Sequence, residues 1–584
     1  MKRRTKILMI VIAVLLAAAA VAAVLLLRPA KEEGERSSIS VIDNNSTTEQ
    51  YTQEGTDAQK LEAQTTAPTA PSYPVVELDV PAIERVSTDM LKEAEECDYT
   101  GLLTVENLLT GYSGEGYLVG FNCNPGDAVE AAFQIEAAQH YDITVSVYAD
   151  SVVTNALVVN GEEIGTFTID ESGHFTRVTF SGVYLPKGEV TLAVQEIDGQ
   201  FALDYFEISD YNEMYEIEYR ESYKLSDGKA SENAKKLMDY MSRNYGAKVL
   251  TGQYAAGESN EEVDLLYQLT GKYPAIRFGD LTGYTKNSTT KKSNAIEAAQ
   301  AWAARGGIVG LMWHWDAPVG VSSVYAKDSS FSLISAMTDK KLAKLTQEEI
   351  DELYDNEEIT EECYAILRDI DTISEELKVL AEEDIPVLWR PLHEASGDWF
   401  WWGADGPNAY RWLWNLMYSR MTDYHGLHNL IWVWNGQSAD YLVSKTQYDI
   451  ASLDIYLPAD KNYSSRHEQY VLLSRMTSGD KMLALSETSS IPNMNDMFRD
   501  HCIWSFFGLW YGEYLMDAEG NFSEKYTKSD AIVELYNSEA ALTLTDTAAY
   551  FLDGEELEEI QKATVAPTQP TEETEETEET TTQE

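Results

Sequence analysis

From about Ser231 to Ala541 the chain alternates short apolar runs with longer amphipathic ones, and this rhythm limits the possible folds more than any other feature. The apolar runs are 249–254, 274–279, 307–314, 386–393, 429–434, 450–456, 482–487 and 503–510. Helical periodicity fills most of the gaps, as in 261–269, 294–304, 362–382, 408–424 and 466–476. Strand-length runs alternating with helical patterns predict βα units and a parallel sheet. Eight such strands over about 300 residues fit a (β/α)8 barrel. The alternative is an open doubly wound sheet, but no GxGxxG or GxxxxGK[ST] string is present to cradle a nucleotide.

A barrel of this kind puts its chemistry at the C-terminal ends of its strands. The third predicted strand ends Trp313-His314-Trp315-Asp316. The fourth ends Arg390-Pro391-Leu392-His393-Glu394, and Trp399-Phe400-Trp401-Trp402-Gly403 follows. The sixth ends Asp454-Ile455-Tyr456, the seventh Ser486-Glu487-Thr488 and the eighth Trp510-Tyr511-Gly512-Glu513. Ionisable and aromatic residues therefore gather at one edge. Indole faces stack on sugar rings, and two facing carboxyls supply an acid/base and a nucleophile, so this edge suits cleavage of a glycosidic bond. Carboxyls about 5–5.5 Å apart imply retention of configuration, and about 6.5–9.5 Å implies inversion. Four bulky aromatics in a row cannot all face one core, so some of residues 399–402 are expected to line the cleft. The acidic stretch 348–362 reads as a solvated helical insertion.

A different pattern precedes the barrel. Between about Tyr73 and Tyr211, short alternating runs (131–135, 141–148, 156–159, 176–180, 190–195) are separated by the turn formers Asn124-Pro125-Gly126, Asn160-Gly161 and Pro186-Lys187-Gly188. This predicts an antiparallel β-sandwich over residues 73–211, ahead of a barrel over 231–541. At the N-terminus, Lys2, Arg3, Arg4 and Lys6 precede an unbroken apolar run from Ile7 to Leu27. Residues 1–30 thus read as an uncleaved membrane anchor or a cleaved signal peptide, with the remainder exported to the cell surface. Residues 31–72 read as a flexible linker, and the Thr/Glu-rich tail 563–584 as disordered. With 43 basic against 98 acidic residues the net charge is −55, which excludes a nucleic-acid partner. The four cysteines have no CxxC spacing; Cys97 and Cys123 either bridge in an exported protein or sit as unpaired small residues. A monomer is expected, touching a membrane only through its N-terminal segment.

The string Arg390-Pro391-Leu392-His393-Glu394-Ala395-Ser396-Gly397-Asp398-Trp399-Phe400-Trp401-Trp402-Gly403, followed by Ile455-Tyr456-Leu457-Pro458 and Leu483-Ala484-Leu485-Ser486-Glu487-Thr488, closely resembles glycoside hydrolase family 26. That family consists of retaining (β/α)8 enzymes dominated by endo-acting β-1,4-mannanases that need no cofactor. The resemblance implies Glu394 as acid/base, Glu487 as nucleophile, His393 beside the acid/base and Tyr456 hydrogen-bonded to the nucleophile. It also implies that His314, Trp399, Trp402 and Trp510 shape the subsites. Many members have Met-Asn after the His-Glu pair where this chain has Ala395-Ser396, which affects neighbouring subsite contacts. Members acting on β-1,3-xylan or mixed-linkage glucan leave the polysaccharide open, and a non-catalytic glycan-binding protein is the remaining alternative. In the first segment, Glu93-Ala94-Glu95, Tyr112-Ser113-Gly114-Glu115-Gly116-Tyr117, Val159-Asn160-Gly161 and Leu203-Asp204-Tyr205-Phe206 resemble carbohydrate-binding module family 35 and its relatives in family 6. That likeness implies a structural calcium at Glu93, Glu95 and Asp204, and sugar contacts at Tyr117 and Asn160. Hard oxygen ligands suit calcium, while exposed edge acids and a hairpin turn explain the same residues equally.

Overall fold

A computed structural model describes residues 70–121, 126–255, 260–459 and 463–557. The apolar leader, most of the linker, the Thr/Glu-rich tail and Cys123 lie outside these residues. Among the described residues no helix is long and apolar enough to cross a membrane. Cys97 is a buried free thiol whose Sγ–H is donated to the Glu93 carbonyl at 3.2 Å.

Two antiparallel sheets form the first domain. One is ordered Thr104–Glu106, Tyr117–Val119, Phe201–Asp210, Gln139–Ala149, Thr176–Leu185, with Asp89–Glu93 also paired to Phe201–Asp210. The other is ordered Asp98–Thr100, Ala128–Ile135, Gly188–Asp198, Val153–Val159, Glu162–Ile169. Along Ala128–Ile135 every second residue is buried, so Val129, Ala131, Phe133 and Ile135 enter the core between the sheets with Val145, Val147, Leu157 and Leu192. At the hairpin after Val159, Asn160 and Gly161 both take positive φ (51° and 83°), the backbone that a two-residue turn between twisted strands requires.

The second domain is a closed barrel of eight parallel strands: Gly252–Tyr254, Ile276–Asp280, Ile308–Met312, Val387–Arg390, Leu430–Trp434, Ile450–Ile455, Met482–Thr488 and Phe507–Leu509. All eight predicted runs overlap a barrel strand, and the first and last strands are half the length of their runs or less. Val249–Leu250 leaves the barrel to pair in parallel with Ala541–Leu542, and only Phe507–Leu509 of the last run is paired as strand. Phe278 fills much of the barrel's interior, and Gly310 on the next strand makes room for it; a Cβ on Gly310 would lie 2.2 Å from the Phe278 ring. The helix Glu361–Glu382 presents Ile366, Ile370, Ile373 and Leu377 to the outside of the barrel, at the three- and four-residue spacing that keeps one face apolar. The acidic insertion is helical at Gln347–Asp355, capped by Thr346 and Glu349 reciprocally.

The domain boundary differs from the one the sequence suggests. Residues 73–79 do not join the sandwich. The Tyr73 hydroxyl donates to the Leu269 carbonyl at 3.2 Å, Val76 bridges to Ser538, and Asp79 N donates to Asn495 Oδ1 at 2.9 Å, all on the barrel. The sandwich itself starts at Asp89 and docks through a buried polar node. His140 Nε2 lies 2.7 Å from Asp500 Oδ1, Arg499 Nε donates to the same carboxylate at 2.6 Å, and the Arg499 guanidinium stacks over the Tyr184 ring.

Candidate active site

The chain turns sharply at the end of the fourth barrel strand. Leu392 and Glu394 both hold φ of 51°, a region that non-glycine residues seldom occupy and that costs about 1–3 kcal/mol each. Asn435, just past the fifth strand, holds this turn. The Glu394 N–H donates to both its backbone oxygen and its Oδ1 at 2.8 Å. The same side chain donates to Ser452 Oγ, Asp454 Oδ1 and Ser486 Oγ at 3.2, 3.0 and 2.9 Å, tying strands four to seven together. The Glu394 carboxyl is thereby aimed across the mouth at Glu487, on the seventh strand.

Three carboxylates meet there: one oxygen from each of Glu394, Asp454 and Glu487 lies within 4.8 Å of the other two. Arg390, buried at the end of the fourth strand, answers this concentration of charge. Its Nη1 donates to Asp454 Oδ2 at 2.7 Å, and its Nη2 pairs with Glu487 and donates to the Tyr254 hydroxyl at 3.1 Å. Tyr456 donates its hydroxyl to Glu487 Oε2 at 2.6 Å. Among the described residues Glu394 makes no ion pair; Trp399 donates its indole N–H to Glu394 Oε2 at 3.1 Å.

The two carboxyls consequently differ in acidity. Burial and the nearby Asp454 push Glu487 up to about 7, against the pull of Arg390, the Tyr456 hydrogen bond and His314. Burial, then Asp454 and Glu487, push Glu394 well above the carboxylate range, and the pull of Arg390 and Trp399 falls short of reversing this. Such a difference lets one carboxyl ionise while its neighbour keeps a proton.

Histidines occupy the other side of the mouth. His314 takes two hydrogen bonds from its chain and ring to Asp280, at the end of the second strand: backbone N to Oδ1 at 2.9 Å and Nδ1 to Oδ2 at 2.8 Å. Burial lowers its basicity, but the Asp280 charge and hydrogen bond more than reverse this and raise it. His393 is buried, with its Nε2 3.3 Å from that of His314. Burial, Arg390 and His314 keep its pKa well below the usual histidine value.

The aromatic residues separate into cleft and core. Trp399 is 41% exposed, and its backbone is held by a hydrogen bond from Ala326 N at 2.7 Å. Trp510 is half-buried, its ring centroid 4.6 Å from Tyr254, 6.4 Å from His314 and 6.5 Å from Tyr456. Trp402, expected to shape a subsite, is instead fully buried; its indole N–H is donated to the His393 carbonyl at 2.8 Å, so it supports the turn and does not face the cleft.

In the sandwich domain the two residues expected to contact sugar differ: Tyr117 is buried and Asn160 is exposed. Tyr117 is 1% exposed, and its hydroxyl accepts from Leu108 N and Leu109 N, which fixes that loop from beneath. Asn160 is the hairpin residue described above, with Oδ1 accepting from Thr191 N at 2.9 Å. Glu93, Glu95 and Asp204 do converge, around the loop 113–116. Ser113 Oγ donates to Glu93, Ser113 N to Asp204, and Glu115 N and Gly116 N to Glu95 Oε1. Glu95 Oε2 is buried without a hydrogen-bond partner. Burial raises Glu93 and Asp204, and the neighbouring carboxylates raise them further.

Four residues of the mouth had no role assigned from sequence. Arg390 and Asp454 stood within the quoted strand ends, and alternation of buried charge with strand-end position was their signal. Asn435 and Asp280 also end strands, but as single polar residues after apolar runs they carry no local signal.

Known proteins place this arrangement. The model of glycosyl hydrolase family 26 matches residues 226–543, and that of carbohydrate binding module family 35 matches residues 90–210. A mannan endo-1,4-β-mannosidase from Thermothelomyces thermophilus is 31% identical over 482 residues, 80% of this chain and 92% of that one. The crystal structure of the Podospora anserina GH26-CBM35 β-(1,4)-mannanase aligns with a TM-score of 0.55 at 29% identity, over 79% of this chain and 99% of its own. A ruminal GH26 endo-β-1,4-mannanase aligns with a TM-score of 0.58 at 25% identity, over 80% of this chain and 99% of its own. An eight-stranded parallel barrel behind a β-sandwich, with paired glutamates at the ends of strands four and seven, thus belongs to glycoside hydrolase family 26 and carries a family 35 carbohydrate-binding module.

Proposed function

We propose that this protein is a retaining endo-β-1,4-mannanase, and the observation that carries the mechanism is the separation of its carboxyls. Oxygens of Glu394 and Glu487 within 4.8 Å leave no room for a water between Glu487 and the sugar, which suits double displacement. Glu487, ionised beside Arg390 and oriented by Tyr456, attacks the anomeric carbon. The glycosidic C–O bond breaks as Glu394 gives its proton to the departing oxygen. The product is a covalent glycosyl-enzyme and an ionised Glu394, which then takes a proton from water as that water attacks the same carbon and frees Glu487. The relatives are named for mannan, and their full-length similarity supports β-1,4-mannan, glucomannan or galactomannan as the substrate.

Two subsidiary readings accompany this one. The donor set at Glu93, Glu95 and Asp204 fits a calcium ion: it is all oxygen, it is short of positive charge, and Glu95 Oε2 is buried without a partner. A bound calcium would neutralise these carboxylates and hold the loop 113–116 against the sheet. The cationic, then apolar, N-terminus supports export and anchoring at the cell surface.

Product analysis on soluble β-mannan, with Glu487→Ala in parallel, tests the main reading. Manno-oligosaccharides from the wild type alone support it. Turnover of xylan or mixed-linkage glucan with mannan untouched replaces the substrate, and binding without any product overturns the enzyme. The mass of the mature N-terminus tests the anchor.

A further inference from the structure

One partly buried contact of the mouth takes no part in that mechanism, the clamp of Asp280 on His314. We propose that Asp280 is a positioning residue that acts through His314, holding it as a second cation facing the nucleophile Glu487. The proposal rests on the reading of Glu487 as nucleophile.

The geometry fixes the position of the ring. Asp280 receives both the backbone N–H and the ring Nδ1 of His314, at 2.9 and 2.8 Å, so the ring cannot rotate without losing one of them. Its Nε2 then faces His393 Nε2 at 3.3 Å, with the rings at right angles. Two facing ring nitrogens need one proton between them. His393 is the poorer holder of an extra charge, being buried beside Arg390. The Asp280 carboxylate 2.8 Å from Nδ1 favours the charged form, in which His314 donates at both ring nitrogens and His393 accepts at Nε2.

That charge reaches the reaction. His314 and Glu487 each act electrostatically on the other, His314 drawing Glu487 toward its ionised form. The other groups facing Glu487 are Arg390, Asp454, Glu394 and Tyr456. Tyr254, Tyr511 and Tyr514 complete the set, and Tyr511 also feels Asp280. Of the two cations in this set, Arg390 is shared between two carboxylates, whereas His314 is hydrogen-bonded to one, Asp280.

The test uses the full chain with histidines labelled in the ring nitrogens; the sequence has eight, and His314→Gln identifies the relevant signal. Wild type should show His314 doubly protonated through neutral pH, and Asp280→Asn should move its titration to lower pH, with Asp280→Glu restoring part of it. In kcat/KM against pH on soluble mannan, the acid limb reports ionisation of the nucleophile. Losing the His314 charge makes Glu487 harder to ionise, so the limb moves to higher pH in Asp280→Asn. Activity near pH 5.5 should fall about threefold to tenfold, with recovery toward pH 8. His314→Gln should give the same displacement, and the double variant no more than either single one. An unmoved His314 titration in Asp280→Asn, or fully additive losses without displacement of the limb, overturns the proposal and leaves Asp280 a structural residue. Failure of the nucleophile reading is distinct, because it appears as activity surviving in Glu487→Ala whatever the histidine signals show.

Discussion

Each domain gathers three carboxylates, at the barrel mouth to within 4.8 Å of one another and in the sandwich around the loop 113–116, and the two surround them differently. At the barrel mouth, Glu394, Asp454 and Glu487 surround Arg390, whose guanidinium contacts two of the three. In the sandwich, Glu93, Glu95 and Asp204 are met by hydroxyl and backbone N–H donors, and the charges acting on Glu93 are those of other acids. A protein cation is fixed in place and leaves one carboxyl unneutralised, which is what an acid/base needs. An exchangeable metal neutralises all of its ligands and leaves none to react. With calcium at the sandwich cluster, as proposed, the reactive cluster and the structural one would differ in the source of their positive charge.

The barrel half of this comparison predicts the largest effects. Glu487→Ala should lower kcat on soluble mannan by about 10⁴ to 10⁶, since removing a nucleophile abolishes the covalent step. Glu394→Ala should cost about 10² to 10⁴, and least on substrates whose leaving group needs no proton. An aryl glycoside with a good leaving group, assayed beside mannan, checks the second claim; equal losses on both substrates would remove the acid role. Arg390→Met should strip the mouth of its shared cation. Breaking a buried pair on one side costs about 3–5 kcal/mol, read as a drop in melting temperature, and the acid limb of kcat/KM should move to higher pH. Arg390→Lys keeps the charge but loses the two-armed contact, so it should fall between.

Much of this mouth was legible because it is local. Glu394 stands in a distinctive string with four aromatic residues, and Glu487 ends an apolar run. The barrel was legible because its strands are buried on both faces and read as unbroken apolar runs. Legibility failed where a property belongs to the third dimension. Trp399 and Trp402 are alike in sequence, yet one is exposed and the other sealed beneath His393, because a short helix, 401–404, turns its side chains inward. Asp280 and Asn435 act on residues 34 and 41 positions away, and no local pattern encodes that. In the sandwich, Phe201–Asp210 lies centrally in its sheet with Phe201 to Phe206 all buried, so it lacks the alternation that revealed Ala128–Ile135. Residues 73–79 were assigned to the wrong domain since nothing in them announces the barrel surface they cross.

The sandwich half is tested by metal removal. Chelation of the purified protein should lower its melting temperature, and added calcium should restore it; at a hundred times Kd the gain is about 2.7 kcal/mol. Glu95→Gln should abolish the response by removing a ligand. Activity on soluble mannan should stay unchanged in both cases, since the cluster lies in the other domain. A melting temperature indifferent to chelator, with no calcium found by metal analysis, would make the cluster a set of hydrogen-bonded acids.

The smallest effect separates the two carboxyls of the mouth from each other. Glu394 and Glu487 are both raised above the carboxylate value of 4.5. Between that value and the folded one, the native state binds protons that the unfolded chain has released, so stability falls as pH rises through the interval. For Glu487 the interval closes at about 7, and for Glu394 it extends further. Activity moves the other way over the first part of this range, because Glu487 must ionise to attack. A neutral amide avoids the loss of stability. Glu394→Gln should therefore raise the melting temperature at pH 7.5 by the equivalent of about 1 kcal/mol, with the gain vanishing toward pH 4.5. Glu487→Gln should show no such gain, because the amide gives up the buried ion pair with Arg390. Calorimetry of both variants at pH 4.5 and 7.5 decides the point. An equal gain in the two would mean that Arg390 does not distinguish nucleophile from acid, and the contrast between them would have to come from the bound sugar.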